Sequence, residues 1–256
     1  MCAKPDDVIG IIPARYGSTR FPGKPLARLA GATMIEHVWR RASEALPRVV
    51  VATDDERIVA EVERFGGEAV LTSATCANGT ERVLEAYRTL RATESIIVNI
   101  QGDEPLVSPA DIRDTAALLA ATPEASIATT VCRFDPAMGF EALFSPSRVK
   151  TVRDARGFAL YFSRSIVPYV RDADWQHWLE AYPDFYIHTG LYAFRASQLQ
   201  QLVALPESPL ERAEKLEQLR WLWAGYRIIT HLSPHAPHPV DTPADLSVLT
   251  ALLTAK

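Results

Sequence analysis

Three cations fall within one short glycine-bearing run: Arg15, Arg20 and Lys24 lie in Ile-Ile-Pro-Ala-Arg-Tyr-Gly-Ser-Thr-Arg-Phe-Pro-Gly-Lys-Pro-Leu, residues 11 to 26, directly after a β-branched apolar segment. Cations converging at the end of a strand suit a ligand carrying several negative charges, and a polyphosphate is the natural one. The loop is not a P-loop. Gly17 and Gly23 are separated by five residues, and Pro25 follows Lys24 where a P-loop carries Ser or Thr. The hydroxyl that would hold magnesium is missing, so ligands for a metal must come from elsewhere in the chain.

Two aspartates can supply them. Asp103 lies in Gln-Gly-Asp-Glu-Pro, residues 101 to 105, just past the apolar run ending at Ile100. Read alone, this is a polar turn in which Asp103 caps a backbone N–H. Beside a polyphosphate, however, a carboxylate is repelled unless a cation sits between them, and Mg²⁺ binds one or two carboxylates together with phosphate oxygens. Asp241 lies in Val-Asp-Thr-Pro-Ala-Asp, residues 240 to 245, where Thr242, Pro243 and Asp245 already form a helix start. Asp241 is left over, outside the helix, to share a metal with Asp103. Two carboxylates and three cations fit phosphoryl or nucleotidyl transfer, in which the protein positions a nucleophile and neutralises charge.

Other residues read two ways. Thr80 and Arg82, in Asn-Gly-Thr-Glu-Arg from 78, either cap and charge a helix or touch a ligand. Arg164 is a cation on a half-apolar strand and calls for a carboxylate partner. His188 lies two residues before Gly190 on a strand-like segment, and Glu214, Glu217 and Gln218 share a helical stretch with Glu211 that also reads as a solvated face. His231, His235 and His238 have loose metal-like spacing, but Pro234, Pro237 and Pro239 break any common element. No serine or cysteine nucleophile has a recognisable setting.

These residues need an α/β scaffold, and the sequence has its pattern. Expected strands at 8–12, 49–52, 95–100 and 127–131 alternate with helical spacing, which predicts a mainly parallel sheet covered on both faces, with Pro13 ending the first strand. Thr33 and Glu36 suggest a capping box for a helix over 34–42, and Asp54, Asp55 and Glu56 an acidic first turn for the next. From about residue 137 the pattern turns antiparallel, with strands expected at 149–152, 158–163 and 186–194, giving one domain with an inserted antiparallel subdomain at about 137–195. The stretch 168–185, with Trp175, Trp178, Tyr182 and Phe185, packs either on a second subunit or within the chain. Helical spacing over 210–223, a strand over 227–232 and a helix over 245–253 complete the expected order.

The 256 residues are 48% apolar and 23% charged, with a net charge of −4, so the basic loop is a local feature and nucleic acid and anionic membranes are not expected partners. Cys2, Cys76 and Cys132 have no paired spacing, and no run resembles a leader or a membrane span. A cytoplasmic protein is the expectation.

Taken together, Ile-Ile-Pro-Ala-Arg (11–15), Phe-Pro-Gly-Lys-Pro-Leu (21–26), Ala-Thr-Asp-Asp (52–55), Gly-Thr-Glu-Arg (79–82), Gln-Gly-Asp-Glu-Pro (101–105), Tyr-Phe-Ser-Arg (161–164), Ser-Pro-Leu-Glu (208–211), Leu-Glu-Gln-Leu-Arg (216–220) and Val-Asp-Thr-Pro (240–243) resemble the 3-deoxy-manno-octulosonate (Kdo) cytidylyltransferase family over nearly the whole chain. The resemblance implies a nucleotide-diphospho-sugar transferase fold and a homodimer. It also implies the Mg²⁺-dependent reaction of CTP with Kdo to give CMP-Kdo and pyrophosphate for lipopolysaccharide, by attack of the anomeric hydroxyl on the α-phosphorus. By similarity Arg15, Lys24, Asp103 and Asp241 are catalytic, the two aspartates holding metal. Arg15, Ser18, Arg20, Lys24, Thr80, Arg82 and Gln101 would meet the nucleotide, and Arg164, His188, Tyr192, Glu217 and Gln218 the sugar acid. The chain departs from the family at Gly31-Ala32-Thr33, commonly Gly-Lys-Pro, and at His188-Thr189-Gly190, commonly His-Leu-Gly. An alternative substrate is a related acid such as 8-amino-Kdo; an alternative of another class is a non-catalytic nucleotide-binding regulator.

Overall fold

The computed structural model describes residues 7–17, 21–182 and 184–254. Its centre is a mixed, mainly parallel sheet. Strands β1 (Val8–Ala14), β4 (Val49–Thr53), β5 (Glu68–Leu71) and β6 (Ile96–Asn99) form one parallel half in the order β5-β4-β1-β6. Beyond β6 comes β10 (Tyr186–Arg195), antiparallel to it, then β7 (Ile127–Arg133) and the parallel edge strand β11 (Ile228–Ser233). A two-residue pair, β2 (Arg28–Leu29) and β3 (Ala32–Thr33), forms a separate small antiparallel sheet.

Alternation along β1 explains why both faces are covered. Val8 and Ile12 face one side with α1 (Met34–Ala45), α2 (Glu56–Arg64) and α4 (Pro109–Ala121); Ile9 and Ile11 face the other with α3 (Gly79–Thr89), α7 (Ala196–Ala204) and α9 (Gln218–Trp223). Parallel strands place their carboxyl ends on one edge. The loops after β1, β4, β6 and β11 therefore converge there, where ligands of open α/β sheets bind.

The antiparallel β10 follows from the chain's route. β7 delivers the chain to that same edge, and β10 runs back from it, antiparallel to both β7 and β6. The hairpin β8 (Lys150–Arg153) and β9 (Ala159–Ser163) pairs with the first residues of β10 through Tyr186 and Ile187. Past a bulge between His188 and Tyr192, β10 exchanges β8 for β6 as its neighbour. Next to this hairpin a small core of its own forms around Phe134, Leu143, Trp178 and Phe185.

Three local expectations are corrected. Pro13 does not end β1, which continues to Ala14. Ile11 accepts from Ile100, so Pro13, two residues on, turns its missing N–H towards the β6 side, where the ladder has already stopped. The capping box at α1 is not made. Met34 N–H is satisfied by Ala27 O, Thr33 donates to Glu61, and the buried Glu36 pairs with Arg40 and Arg64 instead. The helical stretch 210–223 is two helices, α8 (Pro209–Glu214) and α9, broken at Lys215 with φ +52°. The start of α10 (Pro243–Thr254) is as expected, with Thr242 and Asp245 bonding reciprocally.

Candidate active site

The cationic loop leaves β1 at Arg15, which is exposed, and returns through Gly23, whose φ of +70° swings Lys24 back towards the sheet edge. Across from it, the chain leaves β6 and presses Gly102 against β1; a Cβ there would lie 2.9 Å from Pro13 O. Only glycine permits that approach, and it sets Asp103 opposite Lys24. The Lys24 ammonium donates to Asp103 Oδ2 at 2.7 Å and to Val240 O at 2.9 Å, and lies 3.7 Å from Asp241 Oδ1. Val240 N–H in turn donates to Asp103 O, which ties the Asp103 loop to the residue before Asp241. Two facing carboxylates with a cation between them are a donor set that fits Mg²⁺. Among the described residues no cluster of three His, Cys, Asp or Glu offers a closed metal site, so phosphate oxygens and water would complete the shell.

Arg15, Lys24, Asn78, Gly79, Arg82, Gln101, Asp103 and Asp241 line a cavity of about 390 Å³. The start of α3 lies at its wall, through Asn78 and Gly79, a position suited to a phosphate. Arg82 is buried, with one end on Thr72 Oγ1 at 2.6 Å and the other on Asp54 Oδ2 at 2.9 Å. Cys76 also lines this cavity, but burial and Glu85 push its thiol up to about 11, which removes it as a nucleophile. A second cavity of about 780 Å³ shares Gln101, Asp103 and Asp241 with the first and adds Arg148, His188 and Gly190. Gln101 forms the divide, its side-chain N–H donating to Gly190 O at 3.0 Å in the β10 bulge.

Thr80 does not cap α3. Asn78 does, accepting from Glu81 N–H, while Thr80 Oγ1 donates to Glu217 Oε2 at 2.7 Å and Asn78 Nδ2 to Glu217 Oε1 at 3.0 Å. Burial raises the pKa of Glu217, opposed by the Thr80 bond. Gln218 is buried beside it at the start of α9. Tyr192 is buried edge-on to Trp221, its phenol held well above the usual range by burial. Arg164 does not line either cavity. Three of its guanidinium N–H groups go to the carbonyls of Glu214, Pro146 and Lys215, and its backbone N–H to Glu214. Ser18 and Arg20 lie outside the described residues.

His188 touches Thr129 Oγ1 through Nε2 at 2.9 Å and packs on Phe162 and Tyr192. Burial lowers its pKa to about 3. The unfolded ring takes a proton below about 6.5 and the folded one only near 3, so this group removes stability as pH falls through that window. In the folded protein it is neutral at working pH. The pH profile of turnover should therefore carry no ionisation from His188 between about pH 5 and 8; an inflection near neutrality that disappears in His188→Gln would contradict this environment.

The family model described as Cytidylyltransferase matches residues 9–228. A protein of Porphyromonas gingivalis named 3-deoxy-manno-octulosonate cytidylyltransferase is 46% identical over 250 residues, 98% of each chain. The chain belongs to the 3-deoxy-manno-octulosonate cytidylyltransferase family. A relative of the same name from Bacteroides thetaiotaomicron is also 46% identical, over 93% of this chain and 94% of its own. A solved CMP:2-keto-3-deoxy-manno-octonic acid synthetase, complexed with CTP, superposes with a TM-score of 0.88 at 39% identity, covering 97% of this chain and 98% of its own. The 4-diphosphocytidyl-2C-methyl-D-erythritol synthase of Anaerococcus prevotii, at 12% identity and a TM-score of 0.63 over 98% and 97% of the two chains, shares the fold. The expected nucleotidyltransferase fold is therefore established for this family member.

Several site residues escaped the sequence reading. Asp54, read in a helix start and in the Ala-Thr-Asp-Asp motif, carries no site role in the sequence, though its place at the carboxyl end of β4, beside β1, is a usable signal. Arg148 and the buried Lys150 carried no motif.

Proposed function

We propose that the chain transfers the cytidylyl group of CTP to Kdo, releasing pyrophosphate, as a Mg²⁺-dependent cytoplasmic homodimer serving lipopolysaccharide synthesis. One observation carries this reading: Asp103 and Asp241 face each other across Lys24 at the mouth shared by two cavities. A nucleotide in the smaller cavity would lay its triphosphate over Arg15, Lys24 and the start of α3, which neutralise charge at the α-phosphorus. A sugar acid in the larger cavity, beside Gln101 and His188, would present its anomeric hydroxyl from the other side of the carboxylate pair. That oxygen bonds to the α-phosphorus as the bond to pyrophosphate breaks, and its proton leaves to solvent. Held by Asp103 and Asp241, magnesium supplies Lewis-acid neutralisation of the phosphates. Arg148, which lines the larger cavity, would meet the sugar carboxylate, whereas Arg164 lines neither cavity and its guanidinium is held by three backbone carbonyls.

CTP is a cytoplasmic substrate, and among the described residues no helix is long and apolar enough to cross a membrane. The homodimer reading is supported by Phe144, Tyr169 and Trp175, 57%, 73% and 52% exposed on one aromatic face. Trp178 and Phe185 pack within the chain, so the subunit contact is proposed for the exposed residues alone. Replacing Tyr169 and Trp175 with Ser should give monomer in light scattering; an unchanged dimer would put the interface elsewhere.

Substrate choice is tested by pyrophosphate release with CTP and Mg²⁺ in the presence of Kdo, 8-amino-Kdo or N-acetylneuraminate. Release with Kdo well above the other two is expected. Release only with another acid would move the substrate, and silence in every arm would favour a non-catalytic regulator.

A further inference from the structure

Lys24 is in contact with the two carboxylates that the proposed function gives to magnesium. Its ammonium donates to Asp103 at 2.7 Å and to Val240 O at 2.9 Å, and lies 3.7 Å from Asp241. A divalent cation held by these carboxylates, with oxygens at about 2.1 Å, would come within about 5 Å of that ammonium, which is 2.7 Å from Asp103 Oδ2. Two positive charges at that distance, in a partly buried cleft, repel strongly. Lysine and metal therefore compete for the same oxygens. The side chain has somewhere to go, because Lys24 lines the cavity with Arg15 and Arg82, where the triphosphate is proposed to lie. Its four-carbon stem is flexible and its charge compact, so it can change anionic partners without moving the backbone.

We propose that Lys24 is an exchangeable counter-ion: it holds Asp103 and Asp241 together until a triphosphate takes its charge, and the metal enters as the lysine leaves. This rests on the magnesium reading above and adds to it an energetic coupling. The metal alone must evict Lys24, and the nucleotide alone must pull Lys24 away from Asp103. Together each removes the cost the other faces. Coupling of this kind is reciprocal and commonly amounts to about tenfold in affinity. The ion pair thus works against binding of either ligand alone and favours the complete pair.

The test measures binding, not turnover. Mn²⁺ affinity of the full chain without nucleotide, followed by the loss of free-ion electron paramagnetic resonance signal, should tighten about tenfold in Lys24→Met. In EDTA, CTP affinity by calorimetry should tighten in Asp103→Asn, because Lys24 is released to the phosphates, by about fivefold or more. Removing a carboxylate near a triphosphate would help by itself, so the double variant decides. In a Lys24→Met background the same Asp103→Asn change should give a clearly smaller CTP gain, that of the relieved repulsion alone. A gain there as large as with Lys24 present, or unchanged Mn²⁺ affinity in Lys24→Met, overturns the exchange. No Mn²⁺ binding by any variant, with or without CTP, overturns the magnesium reading together with it. Thermal melts establish that each variant is folded.

Discussion

Asp103→Asn should lose on the order of 10³-fold in kcat/KM while melting within a few degrees of the parent. The substitution keeps the shape and leaves an amide oxygen to accept from Lys24, whose second bond, to Val240 O, is untouched. It removes a charge from the carboxylate pair and with it the tightest ligand available to a divalent ion. The fold does not depend on that charge, since the Asp103 side chain is part-exposed and the close approach of its loop to β1 is made by Gly102. Asp241→Asn should behave alike, and the double variant should be little worse than either single one, because residues that act as a unit are not additive. A single variant retaining activity within tenfold of the parent would take Asp103 out of the chemistry.

Lys150→Met should be the most damaging change away from the chemistry. Lys150 is fully buried, and its ammonium donates to the carbonyls of Ser145, Arg148 and Arg164 at 3.1, 2.6 and 2.6 Å. Burial pushes its pKa down to about 8, which still leaves it charged at neutral pH. Methionine fills the same volume and donates nothing. Three carbonyls lose their partner at once, at a cost of about 3 kcal/mol, which lowers Tm by about 10 °C in a chain of this length. The effect should also reach function. The turn that Lys150 pins carries Ser147 and Arg148, which line the larger cavity, and the same ammonium holds Arg164. The KM for the sugar acid should rise more than the KM for CTP. Equal effects on both, or a Tm loss below about 2 °C, would show that the three carbonyls find other donors.

Which features the sequence disclosed, and which it hid, follows from the range of the interactions. Asp103 and Asp241 were legible because their neighbours had local duties: Thr242 and Asp245 account for the helix start, and an unassigned aspartate remains. The parallel sheet was legible from short β-branched runs whose carboxyl ends must share an edge. Thr33 and Glu36 misled because their spacing satisfies a capping rule locally, while Glu61 and Arg64, twenty-eight residues further on, offer better partners. Pro13 misled because its effect depends on which side of the strand is paired. Lys150, Asp54 and Arg148 stayed hidden because single charged residues on or beside a strand look like surface until the chain is folded over them. Arg164 read as calling for a carboxylate, but its guanidinium is held by the backbone carbonyls of Glu214, Pro146 and Lys215.

In the proposed reaction the enzyme joins a sugar hydroxyl to the α-phosphorus of CTP. ³¹P nuclear magnetic resonance of CTP, Kdo and Mg²⁺ with the purified protein tests it directly. One new phosphodiester resonance is expected for each pyrophosphate formed, both absent when Kdo is omitted and both lost in Asp103→Asn. Appearance of CDP with inorganic phosphate, or of CMP with pyrophosphate and no diester, would contradict it.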